Sequence, residues 1–350
     1  MIKRNKLTLI IIICLFCLVI FSELTLRFLV GIMPEIPPTY VIPSHFLHTD
    51  NNLGWKNGTG FYKVYLSNTK DFLFEFNTNS LGNRITSTNY SPQNENKPSI
   101  HLYGCSSTFG YAIPDTATMG WKLQTKLPNY NVVNKGVPGY GLAQMFLSLQ
   151  ESLSQKDTPR IAIFNYGWFH DIRSPLYEQF SSAIWSAISH GNKKESFRGN
   201  FPYYELKNDS LRLNMMPFSE IPKNWPGTEY SAFLIFVNQA FRFQDDSRIP
   251  YLHEINKRLA LTICDYCKRN NIIPVFAEMV SLRDMEPNYP RDIIQEVKKK
   301  GICGFSYPID EGQEKYNCSP KDPSHPNGIA HTIYAETLFD KISKFNLKNE

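Results

Sequence analysis

The sequence predicts an α/β fold: a three-layer α/β/α arrangement with a five-stranded parallel sheet, preceded by a transmembrane helix and a short β-rich lead-in. Three observations carry it. From Ser99 onward, short apolar runs alternate with stretches of helical period. Such alternation builds a parallel sheet, because a helix must return the chain before each new strand can align with the last. At the other end, Lys3, Arg4 and Lys6 precede Leu7–Phe21, which is apolar except for Thr8. Between these regions, residues 44–95 are rich in Asn, Thr, Gly and aromatic residues and hold two short runs of strand composition.

Leu7–Phe21 is short for a bilayer crossing, which takes about 20 apolar residues. Continuing through Leu24, Leu26, Phe28, Leu29 and Val30 supplies the length. It also brings in Glu23 and Arg27, an i,i+4 couple able to pair near the interface. Basic residues ahead of the run predict a single-pass protein with a cytoplasmic N-terminus and an extracytoplasmic main domain, periplasmic or at the cell surface. A cleaved signal peptide is the rival reading, but no small-x-small site follows the run. Residues 1–33 are therefore read as a cytoplasmic tip and signal anchor. Residues 34–98 are read as a tether, stiffened by Pro34, Pro37, Pro38 and Pro43, and the lead-in. Strands are expected there at Phe61–Leu66 and Phe72–Phe76, and a polar turn at Ser91–Lys97.

Residues 99–345 form the main domain. Its strands are expected at Ser99–Gly104, Asn131–Gly136, Arg160–Gly167, Ile272–Val280 and Phe305–Ile309. Its helices are expected at Met119–Lys126, Leu142–Ser154, Tyr251–Arg269, Arg291–Lys300 and Gly328–Phe345. The stretch from about 174 to 250 breaks the alternation and reads as an insertion. Tyr203–Leu206, Asn208-Asp209 and Leu211–Leu213 spell a hairpin within it, and Trp185, Phe201 and Trp225 make it aromatic. It is either a lid or substrate wall, or a decoration with its own small core.

An apolar content of 42% and a charged content of 20% describe a folded globule. The net charge of +5 is scattered, with no basic stripe carrying interleaved aromatics, so nucleic acid is not an expected partner. Cys14 and Cys17 lie in the apolar run, and Cys264 and Cys267 form a C-x-x-C inside a helical stretch, which argues against a thioredoxin-type site. Cys303 and Cys318 flank the approach to Asp322. Outside the cytoplasm they can form a disulfide; two free thiols are the alternative.

The chemistry-bearing residues fall into four blocks. Gly104-Cys105-Ser106-Ser107-Thr108-Phe109-Gly110 follows an apolar strand. Ligands bind at the carboxyl ends of parallel strands, so Ser106 is well placed, and an imidazole base can activate a serine there. Near the end, Asp322 and His325 are three residues apart. A carboxylate at that spacing can accept the imidazole N–H and fix its tautomer. Pro326 and Asn327 precede a helical run, so His325 is expected at the helix start. The second block, Asn134–Gly141, offers the Gly139 N–H as an oxyanion donor, although by itself it reads as a plain turn. The third, Asn165–Arg173, offers His170 or Asn165 as a further donor, with Asp171 and Arg173 as an ion pair or cap. A metal site of Asp322, His325 and His331 lacks further ligands, and no phosphate-cradling loop is present, so no metal or cofactor is expected.

In this order the blocks resemble the SGNH (GDSL-like) hydrolase family. GCSSTFG stands where the family has Gly-Asp-Ser-x-x-x-Gly, NKGVPGYG resembles its second block, and DPSHPN its last. Asn79-Ser80-Leu81-Gly82-Asn83-Arg84 resembles the N-S-x-G-x-R lead-in of bacterial members. The resemblance covers residues 75–345 and implies a flavodoxin-like sheet. It makes Ser106 the nucleophile, His325 the base and Asp322 the orienting acid. The oxyanion hole would comprise the Ser106 and Gly139 N–H groups and His170, with Asn165 as fallback. Cys105 departs from the usual Asp, and His170-Asp171 from the usual Asn-Asp. The implied activity is a serine esterase removing acyl groups, in the first place O-acetyl, from an extracytoplasmic carbohydrate, glycolipid or small ester. An O-acyltransferase and a non-catalytic glycan-binding protein on the same scaffold are the alternatives.

Overall fold

The computed structural model describes residues 2–31, 39–44, 46–88, 97–177, 180, 199–221, 227, 230–241, 248–280 and 292–345. Pro34, Pro37, Pro38, most of the expected turn at 91–97, Trp185, Trp225 and Arg291 lie outside them. Helix α1 (Ile2–Thr25) continues as a π-helical turn, Leu26–Val30, closed by Gly31 at φ +78°. Lys6–Val30 has a mean hydropathy of 2.8 over its most apolar window, none of it buried, and is long and apolar enough to cross a membrane.

The lead-in supplies β1 (Thr39–Ile42), β2 (Leu47–Asp50), β3 (Gly54–Asn57), β4 (Gly60–Leu66) and β5 (Phe72–Thr78). β1, β4 and β5 pair antiparallel, and β2 and β3 make a separate hairpin. In β5 the side chains alternate across the sheet, burying Phe74 and Phe76 and exposing Glu75. That buried face joins Phe46, Tyr62 and Val64 and closes over Phe109 and Ala112 of the main domain. The lead-in is thus packed onto the turn that carries Ser106.

The main sheet consists of β6 (Ser99–Tyr103), β7 (Asn131–Asn134), β8 (Ile161–Tyr166), β11 (Ile273–Val280) and β12 (Cys303–Asp310). Between β8 and β11 the insertion contributes the antiparallel hairpin β9 (Asn200–Lys207) and β10 (Ser210–Pro217). Its turn residues Asn208 and Asp209 have φ of 49° and 63°, the left-handed pair that a two-residue hairpin turn needs. The main sheet is parallel throughout, in the order β12-β11-β8-β6-β7. The chain leaves β6 toward β7 on one side and returns to β8 on the other. The crevice beyond the end of β6 is therefore the topological switch point, where α/β sheets bind ligands.

Helices α2 (Ser106–Phe109), α3 (Met119–Lys126), α4 (Leu142–Ser154), α5 (Ala232–Phe241), α6 (Ile249–Arg269), α7 (Ile293–Lys299) and α8 (Gly328–Ile342) complete the described elements. Strand alternation splits the core. Ile100, Leu102, Ile161, Ile163, Val275 and Ala277 face α3 and α8, whereas Tyr103, Ala162, Phe164 and Phe276 face α4, α6 and α7. Truncating a fully buried member such as Leu102 to Ala is expected to cost about 2–5 kcal/mol. Cys264 and Cys267 are buried against the second face, and burial pushes both thiols up to about 12.

One open alternative is resolved and one expectation is corrected here. Cys303 and Cys318 are free thiols. Cys303 begins β12, and Cys318 lies in β13 (Asn317–Cys318), beyond the far end of that strand. Cys303 packs against the core under α3 and α8, and Cys318 against the separate cluster between the lead-in and Phe109. His325 does not lie in the first turn of α8. It belongs to β14 (Asp322–Pro326), paired antiparallel with β13, and α8 starts at Gly328. Asn327 separates the two: its Oδ1 accepts the Ile329 and Ala330 N–H groups at 2.9 and 3.2 Å, and its Nδ2 donates to the Lys315 and Asn317 carbonyls, both at 2.9 Å.

Candidate active site

The turn after β6 is shaped by contacts with no room for variation at Gly104, where a Cβ would overlap the Thr108 side chain. Cys105 is extended (φ −102°, ψ −152°) and Ser106 opens α2, almost fully buried. As the first helical residue, Ser106 has an N–H without an intrahelical acceptor. The turn is held from outside by Arg84. That buried guanidinium pairs with Asp115 at 2.6 Å and donates to the Gly110 and Ile113 carbonyls at 2.9 and 2.7 Å. It also lies 4.8 Å from the Phe109 ring centre and 5.1 Å from that of Phe76. Burial lowers its pKa to about 10 against the pull of Asp115, so it stays charged at neutral pH.

The loop after β7 is held by β3. Trp55 Nε1 donates to the Pro138 carbonyl at 2.9 Å, and Tyr140 Oη donates to the Trp55 carbonyl at 2.5 Å. Asn57 Nδ2 donates to the Gly136 carbonyl at 3.0 Å. Gly139 has φ +85°, which favours glycine, and a Cβ there would also press on the Trp55 ring at 3.1 Å. Among the described residues no acceptor engages the Gly139 N–H.

The acid–base pair sits on β14, which packs against α2. His325 Nδ1 lies 2.7 Å from Asp322 Oδ2. The other carboxylate oxygen accepts from the Ser324 hydroxyl at 2.6 Å and the Ser324 N–H at 3.1 Å. Burial would raise the Asp322 pKa, but the hydrogen bonds from His325 and Ser324 outweigh it and hold the carboxyl below its ordinary value. With Nδ1 turned to Asp322, Nε2 is the nitrogen left to act as a base. Tyr111 packs its ring 4.9 Å from the imidazole and bonds through its hydroxyl to Thr39 Oγ1 at 2.8 Å. No hydrogen bond joins Ser106 to His325 among the described residues. His331 is not beside Asp322 and His325 as a ligand: its buried Nδ1 accepts the Met119 N–H at 3.0 Å, and burial pushes its pKa down to about 3.

In the third block His170 is buried, and its Nδ1 accepts the Gly167 N–H at 2.8 Å. A backbone N–H can only donate, so the neutral ring carries its proton on Nε2. That nitrogen has no hydrogen bond of good geometry, and the Cys105 thiol is the polar group interacting with the ring. Burial, with the Arg173 charge, keeps the His170 pKa below its usual value although Cys105 pulls the other way. Burial opposes ionisation of Cys105, yet Arg173, His170 and the Ser107 N–H together hold its thiol well below the ordinary value. Asn165, the fallback donor, is committed elsewhere: Oδ1 accepts from Tyr307 Oη at 2.8 Å and Nδ2 faces Met119 Sδ at 3.7 Å. The expected Asp171–Arg173 relation also resolves differently. Asp171 accepts from Tyr166 Oη and contacts His253 Nδ1, each at 2.6 Å, while Arg173 donates to the Tyr140 carbonyl at 2.7 Å.

Sequence reading named Arg84 only as a motif member and gave no part to Trp55, Tyr111, Ser324 or Glu311. Glu311, next after β12, is hydrogen-bonded to Tyr334 Oη, and burial pushes its carboxyl up to about 8. The available signals were an arginine just after a polar turn, a lone tryptophan among glycines and asparagines, and a carboxylate directly following a strand.

No family model matches this chain, and no curated protein matches it. Among solved structures it is similar to the psychrotrophic esterase EstA from Pseudoalteromonas sp., with TM-score 0.41 and 11% identity over 71% of this chain and 98% of that chain. It is also similar to a member of the lipolytic protein G-D-S-L family from Veillonella parvula, with TM-score 0.37 and 9% identity over 71% and 99%. A third is AlinE4, an SGNH-hydrolase family esterase, with TM-score 0.35 and 17% identity over 71% and 93%. At these scores the likeness is loose, and the chemistry is argued from this chain's own residues.

Proposed function

We propose that this chain is a membrane-anchored serine esterase acting on acyl esters outside the cytoplasm, O-acetyl groups on a carbohydrate or glycolipid in the first place. The observation that carries the reading is the 2.7 Å Asp322–His325 contact, on a strand packed against the short helix that Ser106 opens. In the proposed reaction Ser106 Oγ attacks the acyl carbonyl while His325 Nε2 takes its proton, and Asp322 stabilises the imidazolium. The oxyanion is received by the Ser106 and Gly139 N–H groups and by His170 Nε2–H. Collapse expels the alcohol, protonated by His325. Water, activated by the same imidazole, then releases the carboxylic acid and restores Ser106.

The anchor reading is supported by the apolar Lys6–Val30 helix behind three basic residues. Labelling the full-length protein with a fluorophosphonate and mapping the modified peptide tests the reading directly. The expected result is one adduct, at Ser106, together with p-nitrophenyl acetate hydrolysis that Ser106→Ala abolishes. A folded protein that neither labels nor hydrolyses would show a non-catalytic scaffold. Acyl transfer to a sugar hydroxyl outrunning hydrolysis would move the reading to an acyltransferase.

A further inference from the structure

The insertion helix α5 has the sequence Ala-Phe-Leu-Ile-Phe-Val-Asn-Gln-Ala-Phe, eight apolar residues in ten. A helix apolar on nearly all sides belongs in a protein core or in lipid. Ala232 and Ile235 are buried, but Phe236, on a different side, is 47% exposed, and Tyr230 just before the helix is 72% exposed. Among the described residues, α5 is therefore buried at Ala232 and Ile235 and exposed at Phe236.

What lies beside it is the anchor. The Glu23 carboxylate accepts hydrogen bonds from the Ser231 hydroxyl at 2.7 Å, the Ala232 N–H at 2.9 Å and the Phe233 N–H at 2.8 Å. Arg27 binds the same carboxylate at 2.5 Å and donates to the Tyr230 carbonyl. The two charges that interrupt the apolar run thus satisfy each other and the open end of α5. Seventeen residues separate Lys6 from Glu23, about 25 Å of helix. With Lys6 at the inner edge of a hydrocarbon core about 30 Å thick, Glu23 sits about 5 Å below the outer edge. An isolated carboxylate at that depth is costly, and the helix N-terminus supplies the donors that offset it.

We propose that α5 is a second membrane-seated element: it lies in the outer interface of the bilayer, clamped to the anchor through Glu23, with Phe236 in the acyl-chain region. At ten residues it is too short to cross, and its depth fits an interfacial helix. The proposal rests on the anchor reading above. It goes beyond a tether, because the chain then meets the lipid at two places, the anchor and the insertion.

The test uses full-length protein in phosphatidylcholine vesicles. A solvatochromic amino acid is placed at position 18, 81 or 236, one at a time, and quenching by lipids brominated along the acyl chains is read. Position 18 reports the anchor, and 81, an exposed leucine of the lead-in, reports the aqueous side. The expected result is strong quenching at 18 and at least threefold more quenching at 236 than at 81. Glu23→Ala should at least halve the quenching at 236 and leave that at 18, and p-nitrophenyl acetate turnover, unchanged. Quenching at 18 with none at 236 overturns the proposal and leaves the anchor standing. No quenching at either position overturns both. Quenching at 236 that Glu23→Ala does not reduce overturns the clamp.

Discussion

Two histidines among the described residues, His325 and His253, make aspartate contacts of 2.6–2.7 Å, and their surroundings suit them to different tasks. Asp322–His325, at 2.7 Å, involves one imidazole nitrogen and leaves the other uncommitted. Asp171–His253, at 2.6 Å, is matched by a second contact of 2.6 Å from His253 Nε2 to Asp292. Burial works against a charge on His253, but two carboxylates outweigh it and raise its pKa. An imidazole with a carboxylate on each nitrogen has no lone pair to offer, so it joins α6 to the loops around it instead of moving protons. A short aspartate–histidine distance alone therefore does not single out a candidate base; a nitrogen left free to take a proton is needed as well.

That contrast can be broken most decisively at the two histidines. His325→Ala should lower kcat/KM for p-nitrophenyl acetate by about 10³–10⁴-fold while leaving Tm nearly unchanged. His253→Ala should do the reverse. It takes the imidazole partner from the fully buried Asp171, which keeps the Tyr166 hydroxyl, so denaturant unfolding should show a loss of about 3–5 kcal/mol, with activity of the folded protein within a few-fold. Equal losses of activity in the two variants would erase the distinction. A smaller effect is expected at His170, whose Nε2–H, with only the Cys105 thiol acting on the ring, is the proposed oxyanion donor. His170→Ala should reduce kcat by about 10²-fold with little change in KM. A pure KM effect would assign His170 to substrate binding instead.

The smallest expected effect is one of pH. Burial raises Glu311 from 4.5 to about 8, so the folded protein holds a proton that the unfolded chain releases. The stabilisation is present below about 4.5 and is lost as pH rises toward 8 and beyond. Tm should fall across that window, and Glu311→Gln should flatten the fall. His253 carries the same sign from its raised pKa, and the two contributions are separable because only one disappears in the Glu311 variant.

The strands of the main sheet were legible because most are buried on both faces and read as apolar runs, as Ile161–Phe164 does. The long helices were legible from their period. β1 to β3 were not, since they are short and half polar, and their pairing comes from turns and packing against the main domain. The start of the last helix was foreseen from Asn327, but Pro323 and Pro326 keep the preceding chain extended, so His325 fell on a strand. The proposed triad was legible because Asp322 and His325 are neighbours in sequence. The His253 cluster was not, because its partners lie 82 and 39 residues away.

The lead-in sheet closes over Phe109, and Arg84 holds the Phe109, Gly110 and Ile113 carbonyls from behind. A chain cut at Ser99 would retain every strand of the main sheet and every residue assigned to the chemistry. It would also uncover that ring and strip the Gly110 and Ile113 carbonyls of their guanidinium donor, leaving Asn134 and the Val137 N–H as the contacts that still hold the turn from Gly104 to Gly110. The lead-in is therefore part of what presents Ser106. A protease nick in the lead-in, far from any reacting atom, should silence the enzyme.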